Sequence, residues 1–371
     1  MDALDYLYWM HGCISARLAI PPHRVADMNR LLLPAASWTS RHHAGLLLTA
    51  GVAAVAFVLG HVLPLVGGPV FGIVLGIVLK NLLWPGSRFD AGIRFGGKQV
   101  LQWSIIALGF GLSLDQVLKT GMESLSVTLV TMSVAFLSAW LLGRWLRVEG
   151  KLTVLIGVGT AICGGSAIAA VTPILKPDDH DTAFSISTIF LFNLVAVLLF
   201  PLLGHLMHMS DQGFGLWAGT AINDTSSVVA AGYAYSDLAG GFATIVKLTR
   251  STLIIPVCLV LTVAMAALAK RRSNSEGPAG SFNLGAIFPW FILWFLVASG
   301  VRTAGWVPDA ALPMLHTLAE VLIVFALSAI GLSANLRRMA ATGFRPIALG
   351  LGVWVAVATS SLVVQYFIGQ L

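Results

Sequence analysis

Polar residues break this sequence into long apolar runs, most of them near the roughly 20 residues that an α-helix needs to cross a bilayer. The pattern predicts helical segments at 44–63, 67–84, 98–114, 124–146, 152–175, 182–207, 213–235, 239–269, 284–303, 316–335 and 345–369. The connections are short. The longest break, Lys270–Ser281, is rich in Gly, Pro and Ser and reads as a linker at 270–283 between two halves. The expected fold is an all-α polytopic membrane protein of about eleven segments.

Composition agrees with that reading and excludes others. Of the 371 residues, 57% are apolar and only 10% charged, against about 25% charged in soluble domains. A soluble enzyme, a nucleic-acid binder and a disordered scaffold are excluded. Cys13, Cys163 and Cys258 are too few and scattered for a disulfide framework. Met1–Asp5 lacks a basic region and His11 interrupts the apolar run that follows, so 1–43 reads as a cytoplasmic, partly interfacial arm rather than a signal peptide.

The 22 Lys and Arg supply an orientation. Those in the arm, in loops 80–98 and 144–151, in Lys270–Arg272 and in Arg337–Arg345 fall on one side if the segments alternate. Lys119 and Arg302 fall on the other. The positive-inside rule then puts the N-terminus in the cytoplasm and the C-terminus outside. Trp84 and Trp145, beside basic residues, fit an aromatic belt.

Two offsets recur within the chain. A shift of 60 aligns Gly159-Thr160-Ala161-Ile162 with Gly219-Thr220-Ala221-Ile222, and Ser166 with Ser226. A shift of 220 aligns Pro69 with Pro289, Phe71 with Phe291, and Gly111-Leu112-Ser113 with Gly331-Leu332-Ser333. Together they suggest the inverted repeats of secondary transporters. Segments 152–175 and 213–235 are interrupted. They either cross as broken helices or re-enter as hairpins from opposite faces, and only hairpins make that pair inverted and put Lys176 on the basic side.

The polar residues of these breaks are the candidates for chemistry. In the first, Thr160, Cys163, Gly164, Gly165 and Ser166 interrupt an apolar run, and amides freed at the half-helix ends would suit an anion. Small residues of this kind also serve close helix packing. In the second, Asn223, Asp224, Thr225, Ser226 and Ser227 are consecutive. An intramembrane carboxylate is costly unless paired or hydrated, so Asp224 is expected to carry a proton or a cation, or else to cap a helix near the surface. Lys247 and Arg250 alone among the basic residues lie well inside an apolar segment, three apart on one face. They read as a cationic floor for an anion, or as a structural pair with Asp224. Asn193 is expected to bond across helices, while His316, Glu320 and Gln102 suit interfacial positions. His205 and His208 lack a third ligand, and no metal or other cofactor is expected. No Walker A, HExxH or GxSxG motif is present, which speaks against an ATP-driven pump, an intramembrane protease or another enzyme.

Gly159–Ala170 (GTAICGGSAIAA), Gly219–Gly232 (GTAINDTSSVVAAG) and Lys247–Arg250 (KLTR) together resemble the signatures of the YeiH-type sulfate exporter family of bacterial inner-membrane proteins, over about residues 44–371. Asn223 stands where many members carry His, so that position cannot titrate here. The family is distantly similar to the cation/proton antiporter and anion transporter superfamily. The resemblance implies a core domain (150–269) moving in an elevator-like way against scaffold halves (44–149 and 284–371), in a homodimer. It also implies a small inorganic or organosulfur anion as substrate. The expectation is a secondary transporter whose anion sits between the two breaks, with Asp224 coupling it to H⁺ or Na⁺. The rival expectations are a monovalent cation/proton antiporter and an anion channel.

Overall fold

Every apolar segment is helical wherever the computed structural model describes it, which is over residues 22–63, 67–83, 86–272, 289–340 and 343–370. Among the described residues there is no strand. The helices are α1 (Pro22–Val62), α2 (Gly67–Leu83), α3 (Asp90–Phe95), α4 (Leu101–Gly109), α5 (Leu114–Trp145), α6 (Gly150–Ala161), α7 (Gly165–Leu175) and α8 (Asp179–Leu206). They continue with α9 (Asp211–Ala221), α10 (Thr225–Tyr235), α11 (Asp237–Thr252), α12 (Ile254–Arg272), α13 (Trp290–Thr303), α14 (Leu312–Ser333), α15 (Leu336–Ala340) and α16 (Phe344–Ile368).

Among the described residues six helical stretches are long and apolar enough to cross a membrane: 41–62, α5, α8, 237–265, 309–333 and α16. The remaining segments are shorter. Segment 98–114 is built from a π-helical turn at Gly96–Val100 followed by α4. Residues 22–43, read as part of an arm, continue without a break into the first apolar segment within α1. The rest of that arm with Cys13, belt residue Trp84, and most of the 270–283 linker lie outside the described residues.

Glycines let the helices pack closely. A Cβ on Gly76 of α2 would fall 2.7 Å from both the Ser328 carbonyl and the Leu332 amide of α14, so neither backbone tolerates a side chain between them. α5 packs along α16 and α2 along α14.

Segments 152–175 and 213–235 are each a pair of short helices folded back on itself. In the first pair Lys151, at the start of α6, donates from Nζ to the carbonyl of Lys176, just past the end of α7, at 2.7 Å. In the second, Ser236 after α10 donates from Oγ to Oδ1 of Asp211, the first residue of α9, at 2.5 Å. The Tyr235 hydroxyl donates to the Met209 carbonyl beside it. A straight path through either pair would separate its ends by more than 30 Å at 1.5 Å per residue. Each pair is therefore a hairpin with its two ends together at a base.

α8 joins the base of one hairpin to the base of the other. Its 28 residues span about 42 Å, so the bases lie at opposite ends of a helix of membrane length. Each arm of 11 or 12 residues extends about 17 Å, so two hairpins facing each other meet near the middle of α8, where Asn193 lies.

Candidate functional site

The two GTAI runs end the first arm of each hairpin at equivalent places. α6 stops at Ala161 and α9 at Ala221, and the second arms restart at Gly165 and Thr225. The tips are 162–164 and 222–224. Gly164 has φ +68° and ψ −131°, a conformation open almost only to glycine. A Cβ there would lie 3.3 Å from the Asp224 Cβ, so the two tips are in contact.

A helix that ends in the interior leaves carbonyls without partners. Here Lys247 and Arg250 of α11, both fully buried, supply the missing donors. Lys247 donates from Nζ to the carbonyls of Ile162 (2.8 Å) and Ile222 (2.9 Å). Arg250 donates from Nε to the Ala161 carbonyl at 2.6 Å, and from its two terminal nitrogens to the carbonyls of Thr220 and Thr160. Each cation thus bridges both hairpins at their negative helix ends, where the macrodipole favours it. They had been expected to face an anion or to pair with Asp224. The structure gives their hydrogen bonds to backbone carbonyls, and no salt bridge joins either of them to Asp224.

Asp224 is the N-cap of α10. Its Oδ2 accepts from the Ser226 amide at 3.0 Å and from the Ser226 hydroxyl. It caps a helix, as one of the two expectations had it, but at a hairpin tip rather than near a surface. Its own amide donates to Oδ1 of Asn193 at 3.2 Å. α7 has no such cap: Gly164 offers no side chain, Gly165 is half-buried and Ser166 exposed. The first amides of α7 thus carry partial positive charge with no side-chain cap of their own, and Asp224 lies beside them across the tips.

Several polar atoms around the tips are buried without a partner: Thr160 Oγ1, both side-chain polar atoms of Asn223, and Asn193 Nδ2. Buried polar groups in folded proteins are nearly always bonded, which makes this cluster a candidate site. Thr220, the repeat mate of Thr160, instead bonds Ser361 of α16 at 2.7 Å. Cys163 is buried as a free thiol, as is Cys258, and Thr225 is buried at the start of α10.

A cavity of about 780 Å³ reaches this region between α2, α8 and α14. Asn193 and Ser227 line its inner end, and Lys80, Asp90, Arg94 and Asp179 line it too. The structure thus brings 160–166, 223–227, Lys247 and Arg250 to one place. It leaves elsewhere His205, which stacks on Tyr235 with ring centroids 4.3 Å apart, and His316, which is 3.9 Å from Asp237. Asn193 bonds across helices, as expected, and it also lies on a face of α8 that lines the cavity: Asp179, Thr182, Ile186, Phe190, Asn193 and Val197, spaced by three or four residues.

Residues 44–350 match the family described as Conserved hypothetical protein 698. The chain belongs to this family. It is also 40% identical over 339 residues to a UPF0324 membrane protein of Clostridium tetani, covering 89% of this chain and 98% of that one. A UPF0324 membrane protein of Streptococcus pneumoniae is 41% identical, with 90% of this chain and 99% of the relative covered. One from Fusobacterium nucleatum is 40% identical, covering 88% and 98%. Together with the apolar helices, these relatives make the chain a multi-pass membrane protein.

Proposed function

We propose that this protein is a secondary active transporter of a small anion, and that the anion binds where the two hairpin tips meet. The observation that carries this reading is the division of charge at the tips. Lys247 and Arg250 neutralise the carbonyl ends of α6 and α9, which count for about half a negative charge each, and the N-termini of α7 and α10 add about half a positive charge each. With Asp224 ionised, the tip region keeps about one net positive charge. Protonating Asp224 raises it, which is the basis for coupling anion movement to H⁺; Na⁺ at the same carboxylate is the other form of coupling. The resemblance of the GTAI and KLTR motifs to the YeiH-type family favours sulfate, a related sulfur oxyanion or a sulfonate as the substrate class.

In this reading the hairpins re-enter the bilayer from opposite faces, as an inverted pair within an inverted-repeat fold of about eleven segments. The joined hairpin bases at the two ends of α8 support it, as do the packing of α5 on α16 and α4 on α14, which the 220-residue offset relates. Core helices α6–α12 move against the rest in an elevator-like way, in a homodimer of the bacterial inner membrane with its N-terminus in the cytoplasm.

The test is uptake of labelled sulfate and of ethanesulfonate into proteoliposomes under an imposed pH or Na⁺ gradient. Gradient-dependent, saturable uptake of either supports the proposal, and currents that never saturate would make it a channel. Asp224 at the tips also supports a monovalent cation/proton antiporter. That rival predicts pH-dependent Na⁺ or Li⁺ flux with no anion requirement.

A further inference from the structure

We propose that the ligand of this site is an amphiphilic organic monoanion: one singly charged oxyacid head carrying a short apolar tail. The inference rests on the anion reading above and narrows it.

The cavity follows α8 from Asp179 to Val197, about 27 Å at the helical rise. Its charged side chains are two of each sign, Lys80 and Arg94 against Asp90 and Asp179, and Lys80 lies 3.7 Å from Asp90. Asp179 begins α8, whereas Asn193 sits at its middle, so this charged group marks the outer part of the cavity. Ile73, Ile77, Phe190, Leu194 and Val197 form an apolar wall, and Asn193 and Ser227 are the polar side chains nearest the hairpin tips; Thr182, Ser187, Ser333 and Asn335 also line the cavity. Lys247 and Arg250 do not line the cavity, and their hydrogen bonds go to the hairpin carbonyls.

This lining suits one ligand chemistry. The Asp224 N–H can bond only to the oxygen of the Asn193 carboxamide, which fixes the side chain and leaves Nδ2 as a donor without a partner. An acceptor oxygen on the ligand completes that group. A dianion would exchange its hydration for a few neutral donors and about one positive charge at the tips, which leaves half of its charge uncompensated. A monoanion loses less, and a carbon tail laid on Ile73, Ile77 and Leu194 gains from burial. Sulfonate and carboxylate heads share this chemistry, and the experiment tells them apart.

The experiment measures affinity of the purified protein by calorimetry for two series, methanesulfonate to butanesulfonate and formate to butyrate, with sulfate as reference. Affinity should rise about fourfold per methylene until the apolar wall ends, with at least one series binding more tightly than sulfate. Leu194→Asn should flatten that slope in the same detergent. Ile77→Thr on the facing helix gives a second reading if the first variant folds poorly. Sulfate binding more tightly than every organic anion, or affinity unchanged along both series, overturns this proposal and leaves the anion transporter intact. Absence of binding by any anion together with pH-dependent Na⁺ flux overturns both.

Discussion

Asn193 and Asp224 share a single hydrogen bond, amide to carboxamide oxygen at 3.2 Å, and it ties the middle of α8 to the tip of the second hairpin. The same bond leaves the Asn193 amino group buried and without a partner, next to the proposed anion site. A carboxylate at 193 would accept the same amide but present negative charge where the donor was. Asn193→Asp should therefore keep the fold and lower anion uptake at least tenfold, about 1.4 kcal/mol, in proteoliposomes. Uptake equal to wild type would remove Asn193 from the site.

The capping of α10 by Asp224 is separable from its proposed part in coupling. Asn is as good an N-cap as Asp, so Asp224→Asn should unfold at nearly the wild-type temperature, whereas Asp224→Ala should lose about 1 kcal/mol. The proposed coupling needs the carboxylate, so Asp224→Asn should keep anion binding but lose the dependence of uptake on an imposed H⁺ or Na⁺ gradient in proteoliposomes. Unchanged gradient dependence would remove Asp224 from the coupling.

Lys247→Met should be strongly destabilising, because the carbonyls of Ile162 and Ile222 would both be left buried without a donor. The expected cost is about 3 kcal/mol or more. Lys247→Arg keeps a charged donor and should recover part of it. Thermal unfolding of the purified variants measures both, and an unaffected Lys247→Met would show that the lysine does not hold the tips together.

Gly164→Ala tests the contact between the tips. Its positive φ and its approach to Asp224 should cost about 1–3 kcal/mol. Gly150→Ala at the start of α6 has open space around it and should be close to neutral. Equal unfolding temperatures for the two variants would contradict the tip geometry.

Much of this architecture could be read in the chain. The 60-residue offset between the GTAI runs became equal breaks at Ala161 and Ala221 and equal restarts at Gly165 and Thr225. Lys247 and Arg250, singled out by their depth, do lie at the tips. Their partners could not be read, because backbone carbonyls 25 to 90 residues away leave no mark in side-chain pattern. Asn193 was ambiguous for a related reason. One amide in an apolar helix looks the same whether it bonds a neighbouring segment or a ligand. The continuation of α1 back to Pro22 was hidden by Pro and Arg residues that interrupt the apolar run.

The anion reading depends above all on two hairpins that enter from opposite faces and meet tip to tip. Thiol labelling in sealed vesicles tests this most directly, in a background with Cys13, Cys163 and Cys258 replaced. Lys151→Cys and Lys176→Cys should react with a membrane-impermeant reagent from one side, and Gln212→Cys and Asp237→Cys from the other. Labelling of positions 151 and 176 from opposite sides would make the first segment a spanning broken helix and contradict the account.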